Sequence, residues 1–195
     1  MLSINLRKIN LCTTAQQKAI RNIRNEPSIR NSMYTDHDIS LDEHLNWVEK
    51  LKNDKTQIVF IILINDIASG VLSISALDLA HKKSDWAFYL TDKVRGGLGA
   101  ALEFSLLNFA FDDLLLEKLN CEVLETNHAV VKLHKRFGFI EEGFKNSNVE
   151  KNGTRIGVYF LGITKGEWVA KRPDFQEKNK FMIEKFNIII EHTDD

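Results

Sequence analysis

A chain of 195 residues, 44% of them hydrophobic, can bury one sizeable core and needs no second large domain. Its 26 lysines and arginines nearly match 27 aspartates and glutamates, and the net charge of -1 excludes the broad basic surface of a nucleic-acid binder. Two cysteines, Cys12 and Cys121, lack partners at metal-ligand spacing, which excludes a disulfide scaffold and leaves no metal expected.

Met1–Arg7 carries no apolar signal region, and the longest apolar run, Ile58–Ile64, is too short to span a bilayer. No membrane partner and a cytoplasmic location are expected. Alternation over Ile4–Ile9 predicts a first strand, followed by a helix over Thr13–Asn25 that breaks at Glu26-Pro27. Ser28–Ser40 reads as polar and irregular. Ser40-Leu41-Asp42-Glu43 is a capping box opening a helix to about Lys52, with an apolar stripe of Leu41, Leu45, Val48 and Leu51.

Gln57–Ile64 and Gly70–Ala76, joined by Asn65–Ser69, read as a hairpin, and Ser84–Thr91 as a third strand. A helix over Ala100–Phe111, a strand over Lys118–Glu125 and a helix over Ala129–Phe137 ending at Gly138 follow. Strands resume at Phe139–Phe144 and Arg155–Thr164. Helices that interrupt a mixed sheet imply an α/β (α+β) domain of three layers over residues 1–170. Residues 171–195 read as a helical tail whose stripe, Phe175, Phe181, Ile183 and Phe186, packs on the domain or on a second subunit of a homodimer.

The turn Val94-Arg95-Gly96-Gly97-Leu98-Gly99-Ala100 joins a strand to a helix. Three glycines in four positions strip side chains from a helix N-terminus, where free backbone N–H groups can face a pyrophosphate. The same pattern also serves as a plain tight connection.

Downstream, Leu119-Asn120-Cys121-Glu122-Val123-Leu124-Glu125-Thr126-Asn127 leads into His128–Phe137 and Gly138-Phe139. A strand ending in Asn, then a helix ending in Gly-Phe, resembles the second half of the GNAT acetyltransferase fold, and the likeness spans about Ile58–Thr164. It implies a mostly antiparallel sheet and acetyl-CoA as co-substrate, with the pyrophosphate on backbone groups of Arg95, Gly96, Gly97, Leu98, Gly99 and Ala100. The pantetheine arm would run beside Tyr89, Leu90 and Thr91, with Asn127 and Lys135 also on the cofactor side. Aligning Gly97 and Gly99 with the family's loop puts Val94 where Arg or Gln is usual, with Arg95 one step along.

The family's Tyr, which protonates the leaving thiolate, is replaced by His134, about two helical turns beyond Asn127. Histidine can donate a proton near neutral pH, so His134 is either that acid or a cover for the helix end. Glu122 sits where some members take a general base; its other reading is a solvated strand edge. Asn127 orients cofactor or water, or caps its helix.

Arg24-Asn25-Glu26-Pro27, then Arg30, Met33 and His44-Leu45-Asn46-Trp47, resembles the pattern of GNAT enzymes that acetylate nucleotide-linked amino sugars in the pseudaminic acid pathway. The resemblance implies a UDP-sugar acceptor bound by Arg24, Arg30, Met33, His44 and Trp47, acetylated on its 4-amino group by direct attack in a ternary complex. Cationic donors suit a diphosphate and an aromatic wall suits its rings, while core packing for Trp47 and solvation for the arginines stand as the alternative. Two other functions remain open: a ribosomal-protein or peptide N-terminal acetyltransferase, and a non-catalytic acyl-CoA-binding module.

Overall fold

Strict alternation in strand β2 (Ile58–Ile64) divides the interior of the molecule in two. Val59, Ile61 and Leu63 face one side of the sheet with Ile9, Ile20, Val48 and Val71. Phe60 and Ile62 face the other with Leu72, Ile74 and Trp86. The computed structural model describes residues 2–94 and 96–191. Besides β2, its strands are β1 (Leu2–Lys8), β3 (Ile67–Asp78), β4 (Lys83–Leu90), β5 (Lys118–Leu124), β6 (Ile140–Lys151), β7 (Thr154–Thr164) and β8 (Phe186–Glu191). They form one sheet in the order β6-β7-β5-β4-β3-β2-β1-β8, antiparallel except for the pairs β4–β5 and β1–β8.

Helices α1 (Thr14–Arg24), α2 (Pro27–Arg30) and α3 (Leu41–Leu51) belong to the N-terminal third. Ile20 of α1 and Val48 of α3 cover the first core. Helices α4 (Leu98–Asn108), α5 (His128–Phe137) and α6 (Lys165–Lys178) cover the second through Leu102, Phe137 and Trp168. The expected three layers and mixed, mostly antiparallel sheet are present. No helix among the described residues is long and apolar enough to cross a membrane.

Several local expectations differ from the structure. Thr13 and Gln16 close a reciprocal capping box on α1, but at α3 only one half forms. Ser40 accepts from the Glu43 amide at 3.1 Å, while the Glu43 carboxylate turns to His37 at 3.0 Å. The buried face of α3 is His44 and Val48, and Leu41 is exposed. Pro27 opens the short helix α2 inside the segment expected to be irregular, because its missing N–H and fixed φ suit a first helical position. The β2–β3 connection shrinks to Asn65-Asp66, both in the left-handed region as a two-residue hairpin demands.

The C-terminal segment is helical only as far as α7 (Lys180–Glu184). It then becomes β8, parallel to β1, with Ile4 opposite Ile188. Phe175 and Phe186 are buried, whereas Phe181 is 87% exposed, so the expected stripe does not form one face.

Candidate functional site

Strands β4 and β5 pair only from Lys83–Lys118 to Asp85–Asn120. Beyond that, Trp86–Leu90 and Cys121–Leu124 run on unpaired with each other, and a gap opens in the middle of the sheet. Helices α4 and α5 follow these two strands, so both N-termini flank the gap. Into it opens a cavity of about 560 Å³, walled by Tyr89 and Leu90 of β4, Glu122 of β5, Asn127 and His134 of α5, and the loop carrying Met33 and Tyr34.

Backbone direction follows from alternation. Thr91 N–H donates to Ser69 O at 2.9 Å, so the Tyr89 amide also points to β3, and those of Phe88 and Leu90 point into the gap. The free donors thus belong to Phe88 and Leu90, not to Tyr89. Thr91 is buried away from the cavity, its hydroxyl donating to Glu26 at 3.1 Å.

Gly96 and Gly97 have φ of +87° and +92°, a region costly for any residue with a Cβ, and Gly97 is the N-cap of α4. No side chain caps this end, which leaves the amides of Leu98, Gly99 and Ala100 without intrahelical partners. Lys185, at the end of α7, donates to Gly96 O at 3.1 Å and brings an ammonium to the turn. Unpaired amides beside a cation form a cradle that fits a diphosphate. Arg95 lies outside the described residues.

His134 is buried, between Trp86 (ring centroids 5.1 Å apart) and Phe139 (5.3 Å). Its Nδ1 is 2.8 Å from Glu103 Oε1, on α4. Burial raises the Glu103 pKa, and the bond to His134 opposes that rise. Glu122 is exposed as the strand alternation predicts, with Cys121 and Val123 in the core on the opposite face. The Tyr34 hydroxyl donates to Glu122 Oε2, and burial, with this bond second, raises the phenol's pKa. The carboxylate is thereby held in place with its other oxygen left for an acceptor amine or a water. Asn127 is the N-cap of α5, yet its side chain makes no capping bond.

Of the residues expected at the acceptor, Arg24 and Met33 line the cavity. Arg24 donates to Thr35 O and Oγ1 through Nη2, at 3.1 and 2.9 Å, while its buried Nη1 has no hydrogen-bond partner. Burial lowers its pKa. The other three do not reach the cavity. Arg30 pairs with Asp38 at 3.0 Å; His44 is buried with Nε2 2.7 Å from Gln17 O, and its ring packs on Trp47, which lies against the first core. Helix packing, not ligand contact, explains His44 and Trp47. Lys135 pairs with Glu141 at 2.7 Å, also away from the cavity.

A family model of the acetyltransferase (GNAT) domain matches residues 9–158. The chain is a member of the GNAT acetyltransferase family. As such it is an acetyl-CoA-dependent N-acetyltransferase. This GNAT chain is 26% identical over 136 residues to Acetyltransferase PseH of Campylobacter jejuni, covering 70% of this chain and 84% of the relative. It is 26% identical over 126 residues to the SPbeta prophage-derived uncharacterized N-acetyltransferase YokL of Bacillus subtilis, covering 63% and 70%. Among solved structures, spermidine N-acetyltransferase from Vibrio cholerae, in complex with CoA and spermine, shares the fold with a TM-score of 0.77 at 21% identity, over 85% of this chain and 98% of that one.

Four residues at this GNAT site escape a reading of the sequence: Tyr34, Glu103, Lys151 and Lys185. Lys151, at the end of β6, is buried and donates to the carbonyls of Arg30, Asn31 and Met33 at 2.6, 3.1 and 2.5 Å. Carbonyls at a helix C-terminus lack intrahelical partners, so the ammonium caps α2 and fixes the loop that carries Met33 and Tyr34. Replacing Lys151 by methionine leaves the Asn31 and Met33 carbonyls without the ammonium, Arg30 O keeping the Met33 amide at 3.1 Å, and costs about 1–3 kcal/mol. A thermal melt should fall by a few degrees, with KM raised for the acceptor and unchanged for acetyl-CoA.

Proposed function

We propose that this enzyme acetylates the 4-amino group of a UDP-linked amino sugar in pseudaminic acid biosynthesis. The observation that carries the reading is the unpartnered, buried Nη1 of Arg24 in the wall of a cavity in which two of the three acidic residues, Glu122 and Asp85, lie where β4 and β5 part, the third being Asp92. Such a cavity suits an acceptor with an amine at one end and an anion at the other. A sugar nucleotide carries both; a polyamine gives Arg24 nothing to bind. The similarity to Acetyltransferase PseH supports the acetyl transfer itself.

The chemistry follows from the residues in place. Glu122, directly or through a water, takes a proton from the acceptor ammonium or its tetrahedral adduct. The amine lone pair forms the C–N bond, and amides of Phe88 and Leu90 stabilise the charge that develops on the carbonyl oxygen. The C–S bond breaks with its electron pair on sulfur, which takes a proton from His134. From ammonium to amide the nitrogen loses two protons, one to solvent before attack and one to Glu122; sulfur gains one from His134 and a net proton is released to solvent, so the exchange balances without a covalent enzyme intermediate.

The test mixes the purified protein and acetyl-CoA with UDP-4-amino sugars, spermidine or peptides with free N-termini, and follows products by mass spectrometry. Acetylated nucleotide sugar is expected, with Arg24→Gln raising KM for that acceptor alone. Acetylation of spermidine or peptide only would overturn the reading.

A further inference from the structure

We infer that Glu103 is a positioning residue for acetyl transfer, gripping Nδ1 of His134 from behind so that Nε2 is presented to the leaving sulfur. The inference rests on the reading of His134 as the acid and adds a residue no motif contains. Helix α4 is apolar on every side from Leu98 to Leu107, and Glu103 is its one charged residue, fully buried. One of its oxygens meets His134 at 2.8 Å; the other, Oε2, has no hydrogen-bond partner.

A carboxylate buried with half its acceptor capacity unmet destabilises a fold, and an apolar side chain of similar size would pack better there. Stability therefore does not account for it. What it does have is contact with the back of the ring that lines the cavity. The same helix begins at the glycine turn, so one rigid element sets both the diphosphate cradle and the histidine's orientation.

The groups facing the pair define its charge. On the pair's side of the sheet β4 contributes the apolar face of Trp86 and β5 the Cys121 thiol, which burial holds protonated, while Asp85 and Glu122 alternate onto the opposite face. With Glu103 at Nδ1, one ring proton is committed to that contact, and in the doubly protonated ring the proton free for transfer sits on Nε2. When the C–S bond breaks, sulfur takes that proton, and the neutral ring keeps the other on Nδ1, shared with Glu103; solvent then restores the lost proton.

The test compares Glu103→Gln, His134→Ala and the double variant, alongside 15N NMR of the imidazole in the ligand-free protein. We expect E103Q to lower kcat by at least about tenfold, yet less than H134A, within the ~10²–10⁴-fold range of general acid catalysis. KM for acetyl-CoA should hold. In the double variant E103Q should add nothing. The NMR spectrum of neutral His134 should show its proton on Nδ1.

Full kcat in a folded E103Q, beside an impaired H134A, would overturn the role of Glu103 alone. Full activity in H134A would remove His134 from the chemistry and Glu103 with it. Should E103Q not fold, the wild-type spectrum decides: a neutral ring protonated on Nε2 with Nδ1 bare overturns the proposal.

Discussion

Replacing His134 by alanine is expected to lower kcat about 10²–10⁴-fold, with KM for acetyl-CoA unchanged. The size follows from the leaving group. A thiol has a pKa of about 8.5, so a thiolate can depart unaided, but slowly unless a donor meets it as the bond breaks. His134 lines the cavity with Nδ1 already engaged by Glu103 and two aromatic rings fixing its plane. The missing imidazole leaves coenzyme binding to the glycine turn, which is why the loss falls on kcat. Stopped-flow detection of free thiol measures it. A variant that turns over at the wild-type rate would make His134 a packing residue.

The second large effect is at Gly97. Valine there meets a φ of +92°, where a β-branched residue is strongly disfavoured, at about 1–2 kcal/mol or more. The strain also moves the α4 N-terminus, whose amides form the cradle. Gly97→Val should therefore weaken CoA binding by at least about tenfold in calorimetry, as a loss above 1.4 kcal/mol implies. Unaltered affinity in a folded G97V would place the diphosphate elsewhere.

How much of this was legible in the sequence depends on the range of the contacts. The glycine turn, the β2–β3 hairpin and the strand–helix unit ending at Gly138 are local and all present, though the hairpin turn is Asn65-Asp66 rather than the expected Asn65–Ser69. The parallel strand β8 was read as helix because its partner β1 lies far away in sequence, and no local signal marks a parallel pairing. His44 and Trp47 looked like ligands because their residue types suit a sugar nucleotide, yet their helical spacing places them against α1 and the first core. Tyr34 and Glu122 stand 88 positions apart, and Lys151 reaches back to Arg30 across 121; neither link has a periodicity to betray it. Glu103 did leave a trace, as a lone carboxylate in an otherwise apolar helix.

A crystal structure with CoA bound is the most direct measurement. It should place the sulfur in the gap between β4 and β5, within hydrogen-bond reach of His134 Nε2, and the diphosphate on the amides of Leu98, Gly99 and Ala100. CoA bound away from that gap, or a sulfur out of reach of His134, would contradict the account.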